Sequence, residues 1–169
     1  MITPQYAQTM AHYNRWMNEK IYAACDRLTD VERKEDCGAF FKSIHSTLNH
    51  LLWADYNWLG RFAKDTPLEK AYPKAAMGSD LHDDWNTLKA ARVAMDADIL
   101  AWTALLDTDW LGRDFTWYSG LTKSNRTKPA WLLVAHMFNH QTHHRGQVTT
   151  LLSQRGIDPG DTDLMLMPQ

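Results

Sequence analysis

The chain has 169 residues, the length of one ordinary domain, and enough to bury a core without disulfide staples. Hydrophobic residues at 44% and charged residues at 22% exclude a disordered chain. A formal charge of −2 leaves no basic excess to neutralise phosphates, so nucleic acid is not an expected partner.

Taken in order, Thr3 and Pro4 read as a helix start, with the threonine as N-cap. Tyr6, Met10, Tyr13, Met17, Ile21, Ala24 and Leu28 then recur at three- and four-residue steps, so the first helix is expected to reach about residue 28. Thr29 and Asp30 end it or cap a short helix. Cys25 and Cys37 form no CxxC and no framework, which fits a reducing compartment. No basic-then-apolar leader and no apolar run of spanning length is seen, so the expectation is a cytoplasmic chain with no membrane partner.

A second helix is expected over 39–64, after Gly38, and a loop over 65–79, where Pro67, Pro73 and Gly78 fall. Ser79 or Asp80 is the expected cap of a third helix running to about 106. The stretch 107–128 is irregular; alternation over 114–118 and a return over 121–126 suggest a small hairpin. Thr127 and Pro129 open a fourth helix, ending at Arg155 with Gly156 beyond it. Four such helices make an all-α four-helix bundle, and two of the three connections are too long for tight hairpins. With no repeat and no linker, residues 1–169 read as one domain.

Six of the eight histidines sit on two of these helices. His45 and His50 lie on the second; His136, His140, His143 and His144 lie on the fourth. His140 and His144 differ by about 40° around a helix and stand one turn apart, so their imidazoles can meet on one ion. Leu133, His136, His140, His144, Gln147 and Leu151 form one stripe, and leucine at both ends says that it faces inward. Ser43, Ser46, Thr47, Ala54, Asn57 and Arg61 share the His50 side of the second helix, beside an apolar stripe of Phe41, Ile44, Leu48, Leu51, Leu52, Leu59 and Phe62. Small residues near the histidine leave a hollow, and the polar end leaves a route to water. Two readings fit this pattern: a divalent metal site, or hydrogen-bonded core histidines. His12 and His82 read as core residues, and His45 and His143 as surface or supporting groups. Gln141 stands where an HExxH protease carries its general-base glutamate and cannot take up a proton at neutral pH, which argues against that chemistry. Trp131, Phe138, Thr149 and Leu152 lie on the opposite side of the fourth helix and suggest either a partner surface or packing on another helix.

The segments SIHSTLNHLLWAD (43–55) and HMFNHQTHHRGQ (136–147), with YNRWMN (13–18) and DPGDTD (158–163), resemble the DinB family. The resemblance spans nearly the whole chain. It implies an up-down-down-up bundle, often a homodimer, and a three-histidine site for a divalent ion such as nickel or zinc. The implied ligands are His50, His140 and His144. The wider superfamily includes transferases that use low-molecular-weight thiols, so the expected function is a metal-dependent thiol transferase acting on an electrophilic substrate. The alternatives are a hydrolase using a bound hydroxide, or a non-catalytic metal-binding stress protein. His136, Gln147 and Asn57 are candidates for the pocket wall or for support of the ligands. Arg61 is placed to hold a carboxylate. Trp117 and Tyr118 are candidates to cover the mouth.

Overall fold

The structure, a computed structural model, describes residues 1–168. Helix α1 (Pro4–Cys25) starts as expected: the Thr3 side chain accepts a hydrogen bond from the Tyr6 N–H at 3.1 Å, and Pro4 occupies the first turn. It ends three residues earlier than its apolar spacing suggests. Thr29 caps a separate short helix, α2 (Asp30–Lys34), through a capping box with Glu32.

Helix α3 (Ile44–Phe62) begins later than residue 39. Residues 39 and 42 form a tight bridged turn, Lys42 takes a left-handed backbone (φ 66°), and Ser43 caps the helix through the Ser46 N–H at 3.0 Å. Phe41 is therefore not part of the helical stripe. Helix α4 (Trp85–Ala104) is capped by Asp84, not by Ser79 or Asp80. The cap moves because the preceding segment is docked on α3. Asn49 Oδ1 accepts from the Leu81 and His82 N–H groups, both at 2.9 Å, and the His82 carbonyl meets the Asn49 amide and His45 Nε2.

A one-turn helix, α5 (Thr108–Gly112), lies in the stretch expected to be irregular. The hairpin follows. Strand β1 (Asp114–Ser119) pairs antiparallel with β2 (Ser124–Pro129), so the return strand is three residues later than expected. Thr127 belongs to β2, and α6 (Ala130–Ser153) starts with no side-chain cap; the Ala130 N–H is instead bound by the Arg113 carbonyl at 2.9 Å. Past Ser153 the chain makes paired bonds from Gly156 N to Ser153 O and from Ile157 N to Leu152 O, with Gly156 at φ 69°. That is a Schellman closure, which needs the left-handed residue that the glycine supplies.

Helix α1 packs on α4 and α6, and α3 packs on the same two helices. Gln8, Asn14 and Tyr22 of α1 meet Thr103, Asp96 and Trp85 of α4, one set rising in number as the other falls. His50 and Trp58 of α3 meet His144 and His136 of α6 in the same opposed sense. His45, Asp55 and Phe62 of α3 meet Trp85, Arg92 and Trp102 of α4, with both sets rising.

The core is apolar at one end and carries a polar layer at mid-height. At the apolar end Phe62 stacks on Trp102, and Trp110 and Phe115 meet these rings edge-on. At mid-height Arg92 bridges Asp55 (2.5 Å) and Asp96 (2.9 Å), and Asp96 accepts from Asn14 and Asn18. Arg145 reaches Asn14, and Gln141 donates to Asp55 at 2.7 Å. All seven side chains are buried, and they tie all four long helices together. Of the four residues on the side of α6 opposite the histidines, Phe138 and Leu152 are buried at 1% and 0% exposure, which fits the packing alternative, while Trp131 and Thr149 are half-buried. Among the described residues no helix is long and apolar enough to cross a membrane.

Candidate metal centre

Helices α3 and α6 bring His50, His140 and His144 together beside a cavity that His50 and His140 line. One nitrogen of each ring lies within 4.8 Å of the others, and no other group of three potential ligand residues gathers in this way among the described residues. His50 Nε2 and His140 Nε2 stand 3.1 Å apart. Two imidazole nitrogens on one tetrahedral ion are about 3.3 Å apart when the metal–nitrogen distance is about 2.0–2.1 Å. The His50–His140 pair thus already has a spacing that an ion fits with small adjustment, and His144 lies within reach of both.

Electrostatics favour the ligating form. Burial, then the neighbouring His144, pushes the His50 imidazole down from the ordinary 6.5 to about 4. Burial, then His144, His50 and the other nearby rings, pushes His140 down to about 3. Burial also lowers His144, although its bond to Gln147 acts in the opposite direction. All three rings are therefore neutral near pH 7 and keep lone pairs for a cation.

The surroundings orient the rings. His144 Nδ1 is 2.7 Å from Gln147 Oε1, which leaves Nε2 to face inward. A hydrogen bond behind a ligating histidine is the usual way its tautomer and angle are set. His50 lacks such a partner: its Nδ1 is buried without a hydrogen bond among the described residues. Its ring is held by stacking, on Phe41 at a centroid distance of 3.8 Å and on Trp53 at 5.6 Å.

The other sequence candidates separate clearly. His136, Asn57 and Arg61 line the cavity, while Gln147 sits behind His144 and does not. His136 packs edge-on against Trp58 with its ring centre 5.9 Å from that of His140, outside the cluster of three. Trp117 faces the cavity, whereas Tyr118, next along the strand, points to solvent at 62% exposure. His45 is not at the surface: it is fully buried and bonded to the His82 carbonyl. His12 is exposed rather than core, His82 is half-buried, and His143 is exposed as expected.

Two contributors escaped the sequence reading. Phe41 was assigned to the helix stripe, and only the turn at 39–42 swings it onto His50. Trp53 follows His50 by three residues, a spacing that places it on the same face, so that signal was present.

The cavity holds about 720 Å³ and is walled by Trp53, Trp58, Trp117, Met77 and Leu121 besides the groups above. Among the described residues no Asp or Glu lines it.

The sequence pattern of the DinB family matches residues 1–169. The chain belongs to the DinB family. It is 23% identical to Protein DinB of Bacillus subtilis (strain 168) over 94% of this chain and 91% of that one. Among solved structures, a DinB-like protein from Bacillus cereus ATCC 10987 superposes with a TM-score of 0.62 at 17% identity, covering 86% of this chain and 89% of the other. YfiT from Bacillus subtilis, described as a probable metal-dependent hydrolase with an unusual four-helix bundle topology, gives 0.62 at 16% identity, covering 94% and 92%.

Proposed function

We propose that this DinB-family chain holds one divalent ion, nickel or zinc, on His50, His140 and His144, and that the loaded centre transfers a low-molecular-weight thiol to an electrophile. The observation that carries the reading is the donor set: three neutral imidazoles and no carboxylate, opening on a cavity without acidic residues. A divalent ion held only by neutral ligands keeps its full charge and acts as a Lewis acid that brings a thiol's pKa toward neutrality. Everything else falls to the chain. His50, His140 and His144 stay unprotonated through burial. Gln147 fixes the angle of His144, and Phe41 and Trp53 fix that of His50. Trp58 and Trp117 exclude water from the cavity wall. In the transfer the sulfur forms the new bond to carbon, the leaving group departs with its electron pair, and the thiol proton passes to solvent.

A thiol, with an ordinary pKa of about 8.5, needs less help than water to ionise, and this cavity offers no carboxylate as a base. One observation favours the second reading, metal-dependent hydrolysis: His136 lines the cavity one turn from His140, where it can accept a proton from water. The description of YfiT points the same way. We also read the four long helices as up-down-down-up. The opposed pairing of α1 with α4 and of α3 with α6, and the concordant pairing of α3 with α4, support it.

The test loads the protein with Ni²⁺ or Zn²⁺, counts metal by elemental analysis, and follows consumption of cysteine and glutathione in the presence of 1-chloro-2,4-dinitrobenzene. One ion per chain and metal-dependent loss of thiol are expected, with both lost in His50→Ala. Stoichiometric metal in His50→Ala would overturn the ligand set. Thiol loss that does not depend on metal would overturn the transferase reading.

A further inference from the structure

Arg61 sits in the last turn of α3 and lines the same cavity as His50 and His140. Five arginines of the chain are buried or half-buried: Arg33, Arg61, Arg92, Arg145 and Arg155. Four of them have at least one hydrogen-bond or ion-pair partner. Arg33 bonds the Cys25 and Leu28 carbonyls, Arg92 pairs with Asp55 and Asp96, Arg145 bonds Asn14, and Arg155 pairs with Glu35. Arg61 alone has no ion pair and no hydrogen bond among the described residues. Its one contact of note is the Trp58 ring, 5.1 Å from the guanidinium carbon, which steadies the group and leaves its donors free. Partial burial lowers its pKa, so the cation has lost water without gaining a counter-charge. Its place at a helix C-terminus accounts for a positive charge there, but not for a half-buried one left unpaired.

The cavity completes the case. His50, Ala54, Asn57 and Arg61 form one wall along α3, with a rise of about 16 Å from the first to the last. The residues between are small or neutral, and Trp53, Trp58 and Trp117 supply flat apolar surface. Such a wall is long enough to take an extended molecule.

We propose that Arg61 is the anion subsite of this cavity and that the molecule it admits carries a carboxylate at one end of a flat apolar body, with its other end toward His50 and His140. This rests on the reading of the cavity as the substrate site, although the subsite itself needs no metal. Arg61 then sets specificity by its bidentate donors, which match a carboxylate and reject a neutral or cationic end.

The test uses three probes of one shape: 4-phenylbutanoate, 4-phenylbutanamide and 4-phenylbutylamine. Affinities are measured by titration calorimetry on chelator-stripped and zinc-loaded protein, for the wild type, Arg61→Gln and Arg61→Lys. The stripped wild type is expected to bind the carboxylate about tenfold or more tighter than the amide, and the amine most weakly. Arg61→Gln should reduce the carboxylate to the level of the amide, and Arg61→Lys should fall between. Equal binding of carboxylate and amide by the stripped wild type would overturn the subsite, as would a preference that survives in both variants. A carboxylate preference that appears only with zinc and ignores Arg61 would also overturn it, because the anion would then be on the metal. Failure of the chain to take up zinc would sink the metal reading while leaving the stripped-protein preference in place.

Discussion

Gln147 is one turn beyond His144 on α6, and its side-chain oxygen is the partner of His144 Nδ1. Apart from the contact between their own Nε2 atoms at 3.1 Å, among the described residues His140 has no bond to a neighbouring side chain, and His50 is held by ring stacking. Among the described residues Gln147 is thus the polar side chain that backs the cluster from outside it. Loss of such a partner usually costs a metal site about 10–100-fold in affinity. Gln147→Ala should weaken metal binding by about that factor in a chelator competition, while His143→Ala, at an exposed ring, should leave it unchanged. An unchanged affinity in Gln147→Ala would show that stacking alone orients the rings. At this scale the histidine spacing was legible because a helix turns i and i+4 residues to one side. Phe41 was not, because its place depends on one left-handed residue, Lys42, that no periodic pattern announces.

Between helices, the buried polar layer is the element-scale feature that the sequence concealed. Asn14 and Asn18 on α1, Asp55 on α3, Arg92 and Asp96 on α4, and Gln141 and Arg145 on α6 each look like an isolated polar residue in an apolar pattern. They are neutral as a set, with two acids and two bases, and only the packing of four helices brings them into register. Burial raises the Asp96 carboxyl against the lowering influence of Arg92, which marks how much that ion pair is relied on. Arg92→Leu would leave two buried acids without their cation. It should destabilise the fold by about 3–5 kcal/mol in urea unfolding. Lys89→Ala, which removes the partly exposed pair with Asp26, should cost less than about 1 kcal/mol. Similar costs for the two would mean that the layer is not under strain from burial. The same layer touches the candidate site, since Gln141 follows His140 and hands its amide to Asp55.

For the molecule as a whole, the depressed histidines tie stability to pH. Above the ordinary imidazole value of 6.5 the folded and unfolded chains both hold neutral rings, and no linkage arises. Below it the unfolded chain takes up protons that His50 and His140 refuse until about pH 4 and 3. Folding stability of chelator-stripped protein should therefore fall as pH drops from 6.5 toward 4, read as a falling urea midpoint. The variant His50→Phe should flatten part of that slope. A midpoint constant from pH 7 to 4 would contradict the burial of these rings. Metal-loaded protein should resist the fall until protons displace the ion.

The amino-acid order alone determined the four long helices, the hairpin before the last, and the inward stripe of histidines. Those follow from local periodicity and from breakers such as Pro67, Pro73 and Gly156. Its errors were at the ends of elements, where Asp84 and not Ser79 became a cap because Asn49 had already bound the segment between. The family resemblance named His50, His140 and His144, but only the tertiary structure gathered them, set His136 apart from them, placed His45 in the core and left Arg61 unpaired in a shared cavity among the described residues. The reason is physical: spacing along one helix fixes a direction around its axis, but distance to another helix depends on packing, and packing is set by all four at once.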